Sequence, residues 1–228
     1  MTPAPSKVTR DQIVEAAIEV LDEHGSDGFS MRRLGDALGV DPMAVYHHVA
    51  TKAVLLDLVV DEVWARVAPL VDETGSDDDW RVVAARPVRA LRRVLLDHPK
   101  IVPVVATRPA TTPRMLAMLD HHLGRLAAAG LSPAHAMPLL DCLVAFTVGT
   151  VRAEVREPVG GPGVPPEEVW AALTPQSHPN LAAALGGGYD WAPEAQFETG
   201  LAALLGGWPD PACLLYTSDA ADERSSVD

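Results

Sequence analysis

Apolar residues recur along this chain every three or four positions, the spacing of helices that bury one face. The clearest stripe is formed by Ile13, Ala17 and Leu21. It follows Thr9 and Gln12, whose types and spacing form a helix-capping box. No run of useful length alternates apolar and polar residues as strands do. The pattern therefore predicts an all-α protein, with helices at 10–24, 31–38, 42–49, 52–68, 80–97, 112–130, 133–157 and 193–205 and shorter helical segments at 99–106, 167–173 and 181–185.

Two of the predicted helices, 31–38 and 42–49, are short and adjacent, with Gly39 in the turn between them. The second begins at Asp41 and Pro42, an N-cap residue followed by a proline at the first helical position. These are the proportions of a helix-turn-helix, which presents one helix to the major groove of DNA. By shape alone they are also typical of a plain helical hairpin. The expected interior consists of Leu34, Val40, Val45 and Val49, with the small Ala37 allowing close helix approach.

Several side chains of this motif are left outside the expected interior. Those pointing outward from the second helix are Pro42, Met43, Ala44, Tyr46 and His47. Phosphate contacts are expected at the edges of the motif, one of them a helix N-terminus, where free N–H groups favour anions. The phosphate-contact candidates are Ser30, Arg32, Arg33, Tyr46, His48 and Lys52. The sequence thus predicts binding of double-stranded DNA through one local surface.

The overall charge restricts this prediction. The chain has 18 Lys and Arg against 31 Asp and Glu, a formal net charge of −13, which argues against a generally basic nucleic-acid coat. Residues 1–52 also carry more acids than bases, eight against five. Five of those acids lie on the first predicted helix, which can carry them on a face turned away from DNA.

The compartment follows from cysteine usage and from the absence of an export signal. Cys142 and Cys213 are too few for a disulfide framework, and the first ten residues contain no apolar signal core. The longest apolar stretch, 137–151, is short for a membrane span and contains Asp141. The sequence therefore predicts a cytoplasmic protein without a membrane partner, in which this stretch is a buried helix and Cys142 a small buried hydrophobe.

Catalytic and metal-binding motifs are not found in the sequence. There is no G-x-S-x-G, no H-E-x-x-H and no phosphate-binding glycine loop. The histidines at 47–48 and 121–122 are adjacent pairs, which point about 100° apart on a helix and cannot chelate one ion together. Contact with solvent or phosphate is expected for them instead. We predict no enzyme activity, metal or cofactor, and an all-helical enzyme or small-molecule carrier remains the alternative to a DNA-binding protein.

Residues 9–57, with MRRLGDALGVDPMAVYHHVATKAVLLD at their centre, closely resemble the DNA-binding domain of tetracycline-repressor-type transcriptional regulators. The following half is similar to the ligand-binding domain of the tetracycline repressor subgroup, in the segments LDHPKIVPVVATRPATTPRMLAMLDHHLGRLAAAGLSPAHA, AFTVGTV and FETGL. The resemblance implies a homodimer whose interface is a four-helix bundle from the helix near 133–157 and the last helix. It also implies a ligand-responsive repressor of a palindromic operator, with the fourth helix, 52–68, linking the two functions.

The chain departs from that subgroup at positions that the resemblance assigns to the drug and its magnesium. Val104 and Ala145 stand where the subgroup has histidines. Ala153 stands where it has a glutamate, with Glu154 one residue away. Because the retained Thr107-Arg108-Pro109 turn supplies no replacement, we expect a more apolar, non-tetracycline effector.

The candidate ligand-binding residues are Thr107, Arg108, Met115, Met118, Asp141 and Phe146. Methionine adapts to varied ligands, although residues at helical spacing are also typical of plain core. Arg108 is equally suited to binding a ligand anion and to capping a helix end. A charged residue in an apolar helix needs a partner or water, so Asp141 is suited to a ligand contact or to a dimer-interface hydrogen bond.

These observations divide the chain into a DNA-binding domain at 1–52, a ligand-binding and dimerisation domain at 53–208 and a tail at 209–228. Within the second domain, 158–193 is rich in Gly and Pro and is predicted to be the most mobile region. Residues 213–223 resemble the translated end of a sequencing adapter, which predicts a non-native tail. An ordinary disordered tail is the alternative.

Overall fold

The computed structural model describes residues 8–71, 79–109, 112–155 and 163–209, and every regular element in them is helical. It confirms the predicted all-α fold. Short 3-10 turns lie at Ala68–Leu70 and Pro99–Ile101. The α-helices are α1 (Arg10–Gly28), α2 (Met31–Leu38), α3 (Pro42–Tyr46), α4 (Lys52–Val67), α5 (Trp80–Asp97), α6 (Val102–Thr107), α7 (Pro113–Ala128), α8 (Pro133–Val155), α9 (Pro166–Ala171), α10 (Pro179–Gly186) and α11 (Pro193–Gly207).

The first four helices begin where the capping residues predict. The Thr9 hydroxyl accepts from the Gln12 backbone N–H at 3.2 Å, and the Gln12 side chain accepts from the Thr9 N–H at 2.9 Å. Caps of the same kind start the next three helices: Ser30 for α2, Asp41 for α3 and Thr51 for α4. Each cap satisfies a backbone donor that the helix itself leaves without a partner.

The first and third helices end at other residues than predicted. Gly25 adopts the expected left-handed φ of +68°, but another helical turn follows and α1 runs on to Gly28. Helix α3 ends at Tyr46 instead of residue 49. Thr51 must take extended angles (φ −148°, ψ 161°) to cap α4, so the chain leaves the helical conformation a few residues earlier.

Helices α2 and α3 approach each other at Gly35. A Cβ built there would lie 2.9 Å from the Val40 carbonyl oxygen and 3.1 Å from the Pro42 nitrogen. The prediction that Ala37 permits this approach is wrong, because Ala37 is exposed. The rest of the predicted interior is present, with Leu34, Val45 and Val49 fully buried and Val40 half-buried against them.

Helix α4 joins the N-terminal helices to the remainder of the protein. Its buried residues Leu55, Val59 and Val63 belong to a core that also contains Ile13 of α1 and Leu91 of α5. A second core fills the space between α5, α7, α8 and α11. The first core therefore joins the N-terminal helix-turn-helix to α5, α6 and α8 of the C-terminal bundle.

Arg92 holds three helices of the C-terminal bundle together. Its side chain is buried on α5 and donates to Glu154 of α8 at 2.8 Å and to Glu194 of α11 at 2.6 Å. The guanidinium also lies 5.2 Å from the centre of the Phe197 ring. Two carboxylates and an aromatic face compensate the desolvation of this charge.

Helix α8 is long and largely apolar. Its length and composition are sufficient to cross a membrane, and 39% of its apolar segment is buried inside the chain. Core helices of globular proteins often have the same length and composition, and α8 packs against α5, α6, α7 and α11. The predicted burial is correct for Leu139 and Leu143 but wrong for Cys142, which is exposed because it lies on the face turned away from these helices.

The glycine- and proline-rich region carries the two short helices that the sequence predicts, α9 and α10, and no residue of α10 is buried. Its mobility stays a prediction, and residues 158–162 lie outside the described part of the chain. The tail predicted at 209–228, including the adapter-like segment, lies outside the described residues except for Pro209.

The close approach at Gly35 is testable by adding a single methyl group. In Gly35→Ala the new Cβ meets backbone atoms that cannot turn aside, so we expect the free energy of unfolding to fall by about 1–2 kcal/mol. Gly124→Ala is the matched control, since Gly124 lies in α7 with nothing within 4 Å. That control should be neutral or more stable by up to about 1 kcal/mol. Urea denaturation measures both, and equal stability of the two variants contradicts the close approach.

The ion pair between Arg89 and Glu198 makes part of the stability depend on pH. Arg89 donates to both carboxylate oxygens at 2.8 and 2.7 Å, and this hydrogen bonding lowers the pKa of Glu198 below its ordinary value of 4.5. Since the pKa is lowered in the folded state, the stabilisation is complete above pH 4.5 and is lost as the pH falls further. We expect Glu198→Gln to cost up to about 1 kcal/mol at pH 7, because both groups are partly exposed.

The difference in stability between wild type and Glu198→Gln should shrink as the pH falls below 4.5. Thermal unfolding at pH 7, 5 and 3.5 measures it, and a pH-independent difference argues against the pair. Glu19→Gln, which removes an exposed carboxylate of α1, controls for the change in net charge.

Candidate nucleic-acid interface and ligand cavity

Helix α3 is anchored by one face and exposed on the other. Val45 is 1% exposed and fixes the helix against the core, whereas Met43 is 63% and Tyr46 39% exposed. His47 and His48, directly after the helix, are exposed as well. Pro42 and Ala44 are only half-buried, and Pro42 faces Gly35 of α2. The protruding part of the predicted DNA-contacting helix therefore consists of Met43, Tyr46 and the two histidines.

The candidate phosphate contacts lie around α3, and several also make contacts within the chain. The Ser30 hydroxyl caps α2, and the Arg33 guanidinium donates to the Gly28 carbonyl. Lys52 donates to the Phe29 carbonyl at 2.8 Å and lies over the Phe29 ring. Arg32 is exposed, and within the described residues no partner is found for it. Because an ammonium group has three donors, Lys52 can fix the start of α4 and still donate to an anion.

Two acidic residues of α1 have hydrogen-bond partners on α4 and at the end of α5. Glu15 accepts from Arg66 of α4 at 2.8 and 2.6 Å, and Asp22 is hydrogen-bonded to His98 at 2.6 Å. Arg66 also lies 2.9 Å from the second ring nitrogen of His98. Since arginine can only donate, that nitrogen accepts and the other ring nitrogen donates to Asp22. These two acids therefore have partners within the chain.

A cavity of about 1060 Å³ lies between α4, α5, α6, α7 and α8. Its walls are mainly apolar, and its size is that of sites for drug-sized organic molecules. Five of the six predicted ligand-binding residues line it: Thr107, Arg108, Met115, Met118 and Asp141.

Phe146, the sixth predicted ligand-binding residue, does not line the cavity. Its ring stacks on Phe197 with the centroids 5.5 Å apart, and a Cβ on Gly200 would touch it. Phe146 therefore belongs to the packing between α8 and α11, the plain-core alternative for this residue. Asp141 is exposed at the cavity. Arg108 neither caps a helix nor points only into the cavity, because it forms an ion pair with Asp57 of α4.

Sequence reasoning missed several cavity residues. His121 and His122, expected to contact solvent or phosphate, both line the cavity. They follow Met118 by three and four positions on α7, so helical spacing contained this signal. Trp64 of α4 and Arg114 at the start of α7 also line it. The sequence could not identify Trp64 and Arg114 as cavity residues, because residue spacing does not show which helices face each other.

At the positions where the tetracycline repressor subgroup has drug-binding residues, this chain has apolar residues, and the neighbouring Glu154 is engaged in an ion pair. Val104 is buried in the core of α6, and Ala145 brings only a methyl group to the cavity. Ala153 is exposed, and Glu154 is held by Arg92. Among the described residues, no three His, Cys, Asp or Glu side chains are grouped closely enough to hold a metal ion.

Two family models match the chain. Residues 13–59 match the model described as bacterial regulatory proteins, tetR family, and residues 74–209 match the tetracyclin repressor-like C-terminal domain.

Curated relatives support the same family. An HTH-type transcriptional regulator of Saccharopolyspora erythraea is 38% identical over 147 residues, which are 64% of this chain and 61% of the relative. The transcriptional repressor DrrR1 of Streptomyces coeruleorubidus is 29% identical over 79% of this chain and 66% of the relative. The chain thus spans less than two thirds of the length of both relatives. Tetracycline repressor protein class A of Escherichia coli is 32% identical over 89% of this chain and 91% of the relative.

Solved structures share the fold over most of the chain. A possible TetR family transcriptional regulator from Streptomyces coelicolor superimposes with a TM-score of 0.70 at 34% identity, covering 87% of this chain and 98% of that one. ActR from the same organism, solved in complex with actinorhodin, has a TM-score of 0.74 at 28% identity, covering 90% of this chain and 97% of that one. The relatives are named as regulators and repressors, not as enzymes. This chain therefore belongs to the TetR family of bacterial transcriptional regulators, which are not enzymes.

Proposed function

We propose that the protein is a ligand-responsive repressor that binds a palindromic operator as a homodimer and is released by a small, mainly apolar effector. One observation carries the proposal: α4 contributes to the core beneath α3 and also to the wall of the cavity. Leu55 and Val59 belong to the core, whereas Val60 and Trp64 line the cavity. A ligand that displaces α4 therefore also displaces the helix that faces DNA. The protein then acts in the cytoplasm, where its operator is.

One uncharged stripe of exposed residues on each of α8 and α11 supports the homodimer. Exposed helix faces usually carry charged residues, and an uncharged face indicates a contact with another surface. The two helices pack side by side, so a second copy placed on them completes a four-helix bundle. The exposed positions concerned are Pro138, Cys142, Gly149 and Ala153 on α8 and Ala195, Thr199, Ala202 and Gly206 on α11. A palindromic operator then requires the two α3 helices to lie about 34–36 Å apart.

The chemistry of the cavity supports an effector other than tetracycline. The apolar Val104 and Ala145 leave no ligands for a magnesium chelate at the positions where the tetracycline repressor subgroup holds one. Met115, Met118 and Met137 line the cavity with flexible, polarisable side chains that suit a large apolar body. ActR, whose fold this chain shares, is described in complex with actinorhodin. A medium-sized organic molecule is accordingly the effector that we propose.

Substitutions on α3 test the DNA interface. We expect Tyr46→Ala to weaken binding to all DNA sequences, because the phenol contacts backbone phosphate. Met43→Ala and His47→Ala should instead relax base preference, at about 1–3 kcal/mol for each lost base contact. Fluorescence anisotropy with the upstream region of the gene and with scrambled DNA measures both effects.

Tyr189→Ala is the matched control for this series, since Tyr189 is 50% exposed and lies outside helices α1 to α4.

Arg32→Ala should reduce the slope of log K against log salt by about 0.9, the value for one phosphate contact. Unchanged affinity and specificity in the three α3 variants would remove this helix from the DNA interface.

Filling the cavity tests the ligand site. Val144 lines the cavity on α8, and Val144→Trp should lower the affinity for the uncharged dye N-phenyl-1-naphthylamine at least tenfold. Val82→Trp on the exposed surface of α5 is the control and should leave dye affinity unchanged. Dye fluorescence gives the affinities, and equal dye binding by the two variants contradicts the assignment.

A further inference from the structure

A cluster of polar contacts joins the rim of the cavity to the outer side of α4. We name it the α4–α7 polar cluster and define it by Asp57, Asp61 and Glu62 of α4 with Arg108, Thr112 and Arg114 of the α6–α7 connection and α7. We propose that this cluster is the switch through which the cavity controls α4, and that the effector carries an anionic group that competes with Asp57 for Arg108. The inference rests on the proposed function and specifies the regulation and ligand chemistry of the same cavity.

Asp61 is held in place by several contacts within the cluster. Its residue surface is 8% exposed, and a buried carboxylate is stable only with several donors. The Thr112 hydroxyl donates to one carboxylate oxygen at 2.5 Å, and Arg114 lies 2.9 Å from the other. Arg114 also donates to the Asp61 carbonyl at 2.8 Å. These contacts fasten the first turn of α7 to the middle of α4.

Asp57 lies one helical turn before Asp61, on the same side of α4, and pairs with Arg108. Arg108 and Arg114 are also part of the cavity wall. Each guanidinium can therefore be reached from two sides, by carboxylates of α4 and by a molecule in the cavity. Such a residue responds directly to occupation of the cavity, since an anion inside it is an alternative partner for the same donors.

Arg108 is the member that an effector can most readily recruit. It has one carboxylate partner, whereas Arg114 contacts both Asp61 and Glu62. Because guanidinium presents five donors in a planar fork, a ligand carboxylate or sulfonate can replace Asp57 at that fork. Asp57 then no longer anchors the N-terminal half of α4, which lies next to the helix-turn-helix. The apolar cavity walls bind the body of the effector, and its acidic group provides the signal.

A double-mutant cycle on operator affinity tests the switch. We expect Asp57→Asn and Arg108→Gln each to weaken operator binding by about 5- to 150-fold, the usual range of allosteric coupling. The double variant should be no weaker than either single variant, because the same contact is lost. Thr112→Val removes the donor to Asp61 and should weaken binding in the same direction. Arg89→Gln, which breaks an ion pair between α5 and α11, is the control and should bind the operator as wild type does.

Two matched dyes test the anionic group. 1-Anilinonaphthalene-8-sulfonate and N-phenyl-1-naphthylamine share an aromatic body, and only the first carries a sulfonate. We expect both to bind wild type, only the sulfonate to lower operator affinity, and Arg108→Gln to lose affinity for the sulfonate dye alone. Equal effects of the two dyes on operator affinity would overturn the proposal that the effector acts through an anionic group.

The outcomes separate this inference from the proposed function. If wild type does not bind the upstream DNA, the repressor proposal fails. If wild type binds and the Asp57, Arg108 and Thr112 variants bind equally well, the repressor proposal stands and the switch is overturned. Effects of Asp57→Asn and Arg108→Gln that add independently overturn the switch as well, since the two side chains then do not act through their common contact.

Discussion

The packing of α4 is the constraint on which the rest of this structure depends. One side of the helix is buried with α1 and α5, and another side forms part of the cavity wall. Protein cores are packed as densely as organic crystals, so a helix embedded in one core does not move without moving its neighbours. A ligand that changes the position of Val60 or Trp64 therefore acts on the residues that support α3. The proposed coupling between the cavity and DNA requires only that one rigid helix have two stable positions.

Polar contacts are arranged along α4 in a way that suits this role. Its first residue, Lys52, binds the Phe29 carbonyl, and Arg66 in its last turn binds Glu15 and His98. The Asp57 and Asp61 carboxylates lie between these two ends and bind the cavity rim. The end contacts tie α4 to α1 and the adjoining loops, whereas the middle contacts tie it to the ligand-binding region. Competition between these sets of contacts is a physical basis for two positions of the helix.

The strong net negative charge is compatible with an interface for DNA because the charges are distributed unevenly. Glu15 of α1 is paired with Arg66 of α4, and Asp22 accepts a hydrogen bond from His98 at the end of α5. Around α3, the Asp41 carboxylate is used for helix capping, and Arg32, Arg33 and Lys52 lie at the edges of the motif. Net charge describes the whole molecule, whereas DNA binding depends on the potential at one surface.

The sequence by itself determined the helical fold and the starting points of the capped helices, because capping, proline placement and apolar spacing act between residues a few positions apart. It also determined the short helix pair predicted at 31–38 and 42–49, except for the end of the second helix at Tyr46, and five of the six predicted residues at the cavity. The tertiary structure alone decided which surfaces meet: that Gly35 and not Ala37 lies between α2 and α3, that Phe146 packs on Phe197, and that Arg108 pairs with Asp57. These contacts join residues from 5 to 51 positions apart in the chain. A periodic pattern shows which face of a helix is apolar, but the partner of that face depends on how all the helices pack together.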